Sequence, residues 1–143
     1  MMADNNVIKN WHLFTDKFGD DYQMHDAVIK RFDLNGDELT IVVNTLYKIV
    51  NDKVYDITFK FSKLIRFNYD AEIGNDYING IDVKKDKYYK NLVSFTFNSV
   101  CLTIECFSIE ILSITENKPY QRGMIWLKDA DQTGENDTMM WRT

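Results

Sequence analysis

Apolar side chains along this chain fall first into a helical rhythm and then, past Met24, into strand-like alternation. Val7, Ile8, Trp11, Phe14 and Phe18 recur at intervals of three and four. That spacing predicts an amphipathic helix capped by Asn5 or Asn6 and stopped at Gly19. The polar run Asp20-Asp21-Tyr22-Gln23 reads as a connection. Asn35-Gly36 then separates two alternating stretches, the mark of a two-residue hairpin turn. With that turn, Leu34 faces Asp37, Phe32 faces Leu39, Lys30 faces Ile41 and Val28 faces Val43. One face of the hairpin gathers Val28, Phe32, Leu39, Ile41 and Val43, and the other carries Arg31, Thr40 and Asn44.

Further along, Tyr55, Ile57, Phe59 and Phe61 alternate with Asp56, Thr58, Lys60 and Ser62. A short strand is predicted over Ile78 to Val83. A second hairpin about Asn98-Ser99 sets Phe97 against Val100, Phe95 against Leu102 and Val93 against Ile104. Apolar residues hold even positions through Cys106, then odd ones at Phe107, Ile109 and Ile111. A strand cannot change phase in this way without a bulge or a bend, which places one near Cys106. Arg122 to Lys128 reads as a last strand, and Met139-Met140-Trp141 as an apolar end that folds back or docks on a neighbour. The sum is an α+β fold with an N-terminal helix packed on a mostly antiparallel, twisted sheet of about six or seven strands. Residues 1–143 form a single domain, with its core over 7–113 and a C-terminal strand and tail over 114–143. The face opposite the helix is expected to hold Arg31, Thr40, Asn44, Thr58 and Lys60.

Composition narrows the classes. A chain of 143 residues that is 45% hydrophobic can bury one core without staples. The net charge of −5 and pI near 5.0 argue against general affinity for nucleic-acid phosphates or anionic lipid. An acidic surface does suit a basic protein partner. The first ten residues include Asp4 and no apolar run, and nothing reaches membrane-spanning length, so a cytoplasmic protein is expected. Cys101 and Cys106 lie five positions apart. On a regular strand they would face opposite sides, which favours two reduced, buried thiols over a bridge.

Candidate chemistry is sparse. Asp33-Leu34-Asn35-Gly36-Asp37 looks like the start of a calcium loop, but Glu38 stands where such loops need glycine and Asn44 where they need glutamate. His25-Asp26 could supply two metal ligands, although the other histidine, His12, has no ligand spacing to either residue. The plainer reading is a local hydrogen bond that fixes the approach to a strand. The cysteines sit in apolar sequence without a nucleophile signature, and the six isolated glycines form no phosphate cradle. No cofactor, catalytic residue or metal site is expected from these residues.

Trp11, Phe18-Gly19 and Met24-His25-Asp26-Ala27-Val28, in that order, resemble the opening of bacterial immunity proteins of the immunity protein 50 type. Ile57-Thr58-Phe59-Lys60-Phe61, Leu64-Ile65-Arg66-Phe67, the segment from Ile78 to Val83 and Leu102-Thr103-Ile104-Glu105-Cys106 extend the likeness over Trp11 to Leu112. Asp20-Asp21-Tyr22-Gln23 departs from it, standing where a shorter approach is common. The resemblance implies a cytoplasmic, non-catalytic protein that neutralises a cognate toxin by binding it. Trp11 and His25 are motif residues on this reading. Asp16, Asp20, Asp21, Asp26, Asp70, Glu72 and Asp76 are the acidic candidates for contact with a basic partner. The alternatives are a self-associating homodimeric interaction domain, and a small enzyme using His25 and Asp26.

Overall fold

The computed structural model describes residues 7–69 and 77–121. Over them the chain runs β1 (Ile8–Lys9), α1 (Trp11–Phe18), β2 (Val28–Asn35), β3 (Glu38–Asn44), β4 (Val54–Tyr69), β5 (Ile81–Lys85), β6 (Val93–Phe97) and β7 (Leu102–Asn117). The strands form one seven-stranded sheet in the order β2-β3-β4-β7-β6-β5, and β1 adds to β7. Every pairing is antiparallel except β1 with β7, where Ile8 faces Ile109. An antiparallel bridge between Val28 and Tyr77 joins β2, at one edge, to the approach to β5, at the other. The α+β architecture is the one implied by a helical stripe followed by alternation. Among the described residues no helix is long and apolar enough to cross a membrane.

Both hairpins turn later than the dipeptide rule implies. Asn35 faces Glu38, so Gly36-Asp37 is the loop, with Gly36 at a φ of 64° in the first loop position. That conformation favours glycine because a side chain would crowd the backbone. In the second hairpin Phe97 faces Leu102 and Phe95 faces Ile104, around a longer loop of residues 98–101. From Arg31 to the turn and throughout the second hairpin each shift moves partners by two positions, so side chains keep their faces. Before the bulge between Ile29 and Arg31 the shift is one, so Ile29 and not Val28 faces Val43, and Val28 faces Asn44 instead. Leu39, Ile41, Val43, Phe95, Phe97, Leu102 and Ile104 are accordingly buried. Cys106 is buried too, but Cys101 sits exposed in the loop at a φ of 56°, which corrects the expectation of two buried thiols.

The helix is shorter than its apolar spacing suggests. Ile8 and Lys9 pair with β7 as a strand, Asn10 turns the chain at a φ of 63°, and α1 begins only at Trp11. Ile8 reaches the core from a strand as well as it would from a helix, so the spacing could not separate the two. Asn5 and Asn6 lie outside the described residues. Gly19 does end α1, donating its amide to the Thr15 carbonyl at 2.8 Å. The predicted strand at Ile78 to Val83 starts later, at Ile81, while Ile78 is buried ahead of it.

Strand β7 is continuous, yet its buried side slips from Cys106 to Ile109. The break lies partly in its partner: the β4–β7 register shifts between Leu64 and Arg66, and Lys63 takes a φ of 55°. At the same place β7 exchanges one neighbour for another, pairing with β6 up to Cys106 and with β1 from Ile109. β7 also runs to Asn117, beyond the expected core limit. The predicted strand over 122–128 and the Met139-Met140-Trp141 end lie outside the described residues.

Phe59, Phe61, Phe95 and Phe97 form the aromatic centre, with Phe95 and Phe97 rings 4.8 Å apart edge to face. Of the face expected to be polar, Arg31 is exposed and Thr40, Thr58 and Lys60 half-buried. Asn44 is fully buried, a correction whose cause is the polar cluster described next.

Candidate functional site

The Met24–Val28 segment works as a fold-fixing turn. Met24 and Asp26 adopt φ of 60° and 64°, and the Ala27 amide donates to the Met24 carbonyl at 3.1 Å. Asp26 donates its amide to the Ile78 carbonyl, and Ile78 returns one to Ala27, at 2.9 and 2.7 Å. These bonds pin the start of β2 beside the approach to β5. His25 Nδ1 lies 2.8 Å from Asn79 Oδ1, and Nε2 lies 3.4 Å from an Asp26 oxygen, with the ring 68% exposed. The histidine therefore stands on the surface and not in a cleft. Trp11 stacks on Phe14 at 4.4 Å inside the core and offers no contact surface. Asp16, Asp20 and Asp21 are exposed along α1 and the turn after it. Tyr22 packs on the Phe14 and Phe18 rings, and burial, with the Asp26 charge beside it, pushes its phenol well above the usual range. Asp70, Glu72 and Asp76 lie outside the described residues. No three histidine, cysteine or acidic side chains converge as a metal site among those described.

Asp56 anchors a second polar cluster. A bulge in β2 between Ile29 and Arg31 frees Lys30 to reach it, Nζ to Oδ2, at 2.7 Å. Asn117 donates to the same oxygen at 2.6 Å and Asn44 to Oδ1 at 2.8 Å. Asn44 Oδ1 accepts the amides of Leu46 and Tyr120. Burial alone would raise the Asp56 carboxyl pKa, but the hydrogen bonds from Lys30, Asn44 and Asn117 outweigh it and hold the group below its ordinary value. With both oxygens engaged, this carboxylate ties β2, β3, β4 and β7 together. The 530 Å³ cavity beside it, lined in part by Leu46, Lys53, Glu116 and Pro119, has four of its charges in pairs, Lys53 with Glu116 at 3.0 Å and Lys48 with Asp52 at 3.6 Å, while Lys118 adds a fifth.

The third region differs in kind. Lys9, Lys63, Lys85 and Lys90 line a concavity of 730 Å³ together with Asp86, Asn91, Ser108 and the apolar Val7, Val93 and Phe107. Its position follows from the irregularities already described. β1 brings Lys9 alongside β7, the left-handed Lys63 marks the kink of β4, and Phe107-Ser108 is where β7 slips phase. Lys85 ends β5. The following loop is braced by Asp86, whose Oδ2 accepts the Tyr88 and Tyr89 amides at 2.8 and 2.7 Å, while its own amide donates to the Leu92 carbonyl. Tyr88 and Tyr89 are 88% and 66% exposed at the tip. No carboxylate among the described residues forms an ion pair with any of the four lysines. Adjacent to it, a smaller hollow of 210 Å³ adds Lys84 and Lys87, with Glu105 on its wall.

Of these lysines only Lys63 draws notice by sequence, in the alternation of aromatics with Lys60, Lys63 and Arg66 over Phe59 to Phe67, which reads as core packing; the four come from three separated segments. A second local signal is Lys84-Lys85-Asp86-Lys87-Tyr88-Tyr89-Lys90, a basic, aromatic run in an acidic chain. Comparison of the chain with protein-family models, curated proteins and solved structures returned no match.

Proposed function

We propose that this chain is a non-catalytic binding protein of the toxin-immunity kind, acting by covering a cognate toxin. The observation that carries the reading is the Tyr88-Tyr89 loop. Two adjacent aromatics stand in solvent on a loop braced by a side-chain carboxylate, next to lysines that pair with no carboxylate among the described residues. A protein that used these rings only for stability would bury them. Exposed tyrosines on an ordered loop give large contact area at little entropic cost, which is how protein interfaces use them. The likeness of Trp11 to Leu112 to immunity proteins supports the same reading. The exposed Asp16, Asp20 and Asp21 supply a separate charged surface for steering.

The test is inhibition. Polymorphic-toxin domains encoded in the same genome are purified and titrated with the protein. One of them is expected to lose activity at one equivalent, and Tyr88→Ala/Tyr89→Ala protein to need at least about tenfold more, the cost of removing a hot-spot aromatic. Undiminished activity of every such domain overturns the reading.

A further inference from the structure

We infer that the lysine-lined concavity between β1, the β4 kink and the β5–β6 loop is a binding site for a small polyphosphate ligand, of the nucleoside di- or triphosphate class. The inference goes beyond the binding of a protein partner and does not depend on it.

Four observations lead there. The chain carries a net charge of −5, so four lysines around one hollow are a local concentration and not a sample of a basic surface. Concave walls focus that potential on whatever enters. None of the four is neutralised by an ion pair among the described residues, and the Asp86 oxygen that bonds the Tyr88 and Tyr89 amides is already engaged. The cations are lysines alone. Lysine meets phosphate as a point charge from any direction, whereas planar carboxylate recognition favours the arginine fork. Val7, Val93 and Phe107 line the same hollow and offer apolar surface to a flat ring, and Asn91 and Ser108 add neutral hydrogen-bonding groups. At 730 Å³ the hollow falls inside the usual range for small-ligand sites, about 300–1,000 Å³. Its walls are strand backbone on two sides, so the lysine stems start from fixed positions.

Titration calorimetry with ATP and with tripolyphosphate tests this, at low and at physiological ionic strength. ATP is expected to bind saturably at one site per chain, more tightly than tripolyphosphate, and to weaken as salt rises. Lys63→Gln and Lys85→Gln are each expected to weaken ATP about tenfold, the loss of one charge-assisted contact. Lys63 sits in a strained backbone position, so Lys9→Gln/Lys85→Gln provides a variant whose folding does not depend on it. Lys60→Gln, whose cation pairs with Glu38 outside the hollow, is expected to change nothing. Absence of saturable ATP binding overturns the proposal. So does equal loss in Lys60→Gln, which would mean diffuse charge attraction, and so does a hexaglutamate peptide that binds as tightly as ATP, which would make the hollow a seat for an acidic protein.

Discussion

The Asp56 cluster and the lysine hollow are two concentrations of charge treated in opposite ways. At Asp56 one carboxylate is sealed among strands and given three donors, with both oxygens engaged. At the hollow four ammonium groups share space with a single carboxylate and stand in solvent. Buried charge without partners costs several kcal/mol, so the first arrangement is one the fold cannot relax. Exposed charge left unpaired costs little and keeps its full attraction for something outside the molecule. Where a protein satisfies a charge internally the charge serves the fold, and where it leaves a cluster unsatisfied the charge is available for recognition.

The contrast breaks first at Asp56. Asp56→Ala strands Lys30 and two asparagine amides, and is expected to lower unfolding free energy by about 3 kcal/mol. Chemical denaturation reads this, and a loss below about 1 kcal/mol would show that the cluster is ornamental. The same group sets an acid limit. Its carboxyl pKa in the folded protein lies below the ordinary 3.8, so its contribution is complete above that value and is lost as pH falls through the folded one. Stability should therefore decline below the ordinary value, and in Asp56→Asn that part of the decline should vanish. Melting curves from neutral to acid pH check it.

At the hollow the expected change in stability is small. Lys85→Gln and Lys90→Gln should each leave unfolding free energy within about 0.5 kcal/mol of the parent. A larger loss would mean that these cations are structural after all. The smallest effect concerns the two thiols. Burial pushes the Cys106 thiol up to about 11, outweighing its hydrogen bond to the Ser108 carbonyl, while Cys101 is exposed. One of the two thiols should therefore react with a soluble disulfide reagent in the folded protein, and the second only on unfolding. Fast reaction of both would show that the core around Cys106 opens.

Side-chain alternation made the sheet legible, since a period of two assigns faces whatever the turn does. It could not place turns. Asn35-Gly36 names a favoured dipeptide, yet the bulge at Lys30 and the pairing of Leu34 with Leu39 decide where the chain reverses. The phase change after Cys106 was visible because two incompatible alternations met there; that its cause was shared with β4 was not. Asn44 and Asp56 looked like surface residues because each follows the polar beat of its strand. Their burial comes from Lys30, Asn117 and the 118–120 segment arriving over that face, contacts between residues up to 76 positions apart. His25 and Asp26 drew notice by type, but their work is to hold a backbone turn against Ile78 and Asn79. The lysine hollow required three dimensions, because Lys9, Lys63, Lys85 and Lys90 share no period.

The parallel pair of Ile8 with Ile109 sets the order in which this molecule can mature. During synthesis the opening strand, and the helix tethered to it, wait until β7 has left the ribosome before they have anything to rest on. Such distant closure slows folding and leaves Trp11 and Phe14 without β7 beside them until residue 109 has been made. A shortened chain ending before β7 should accordingly be captured by chaperones, whatever its other strands manage to assemble.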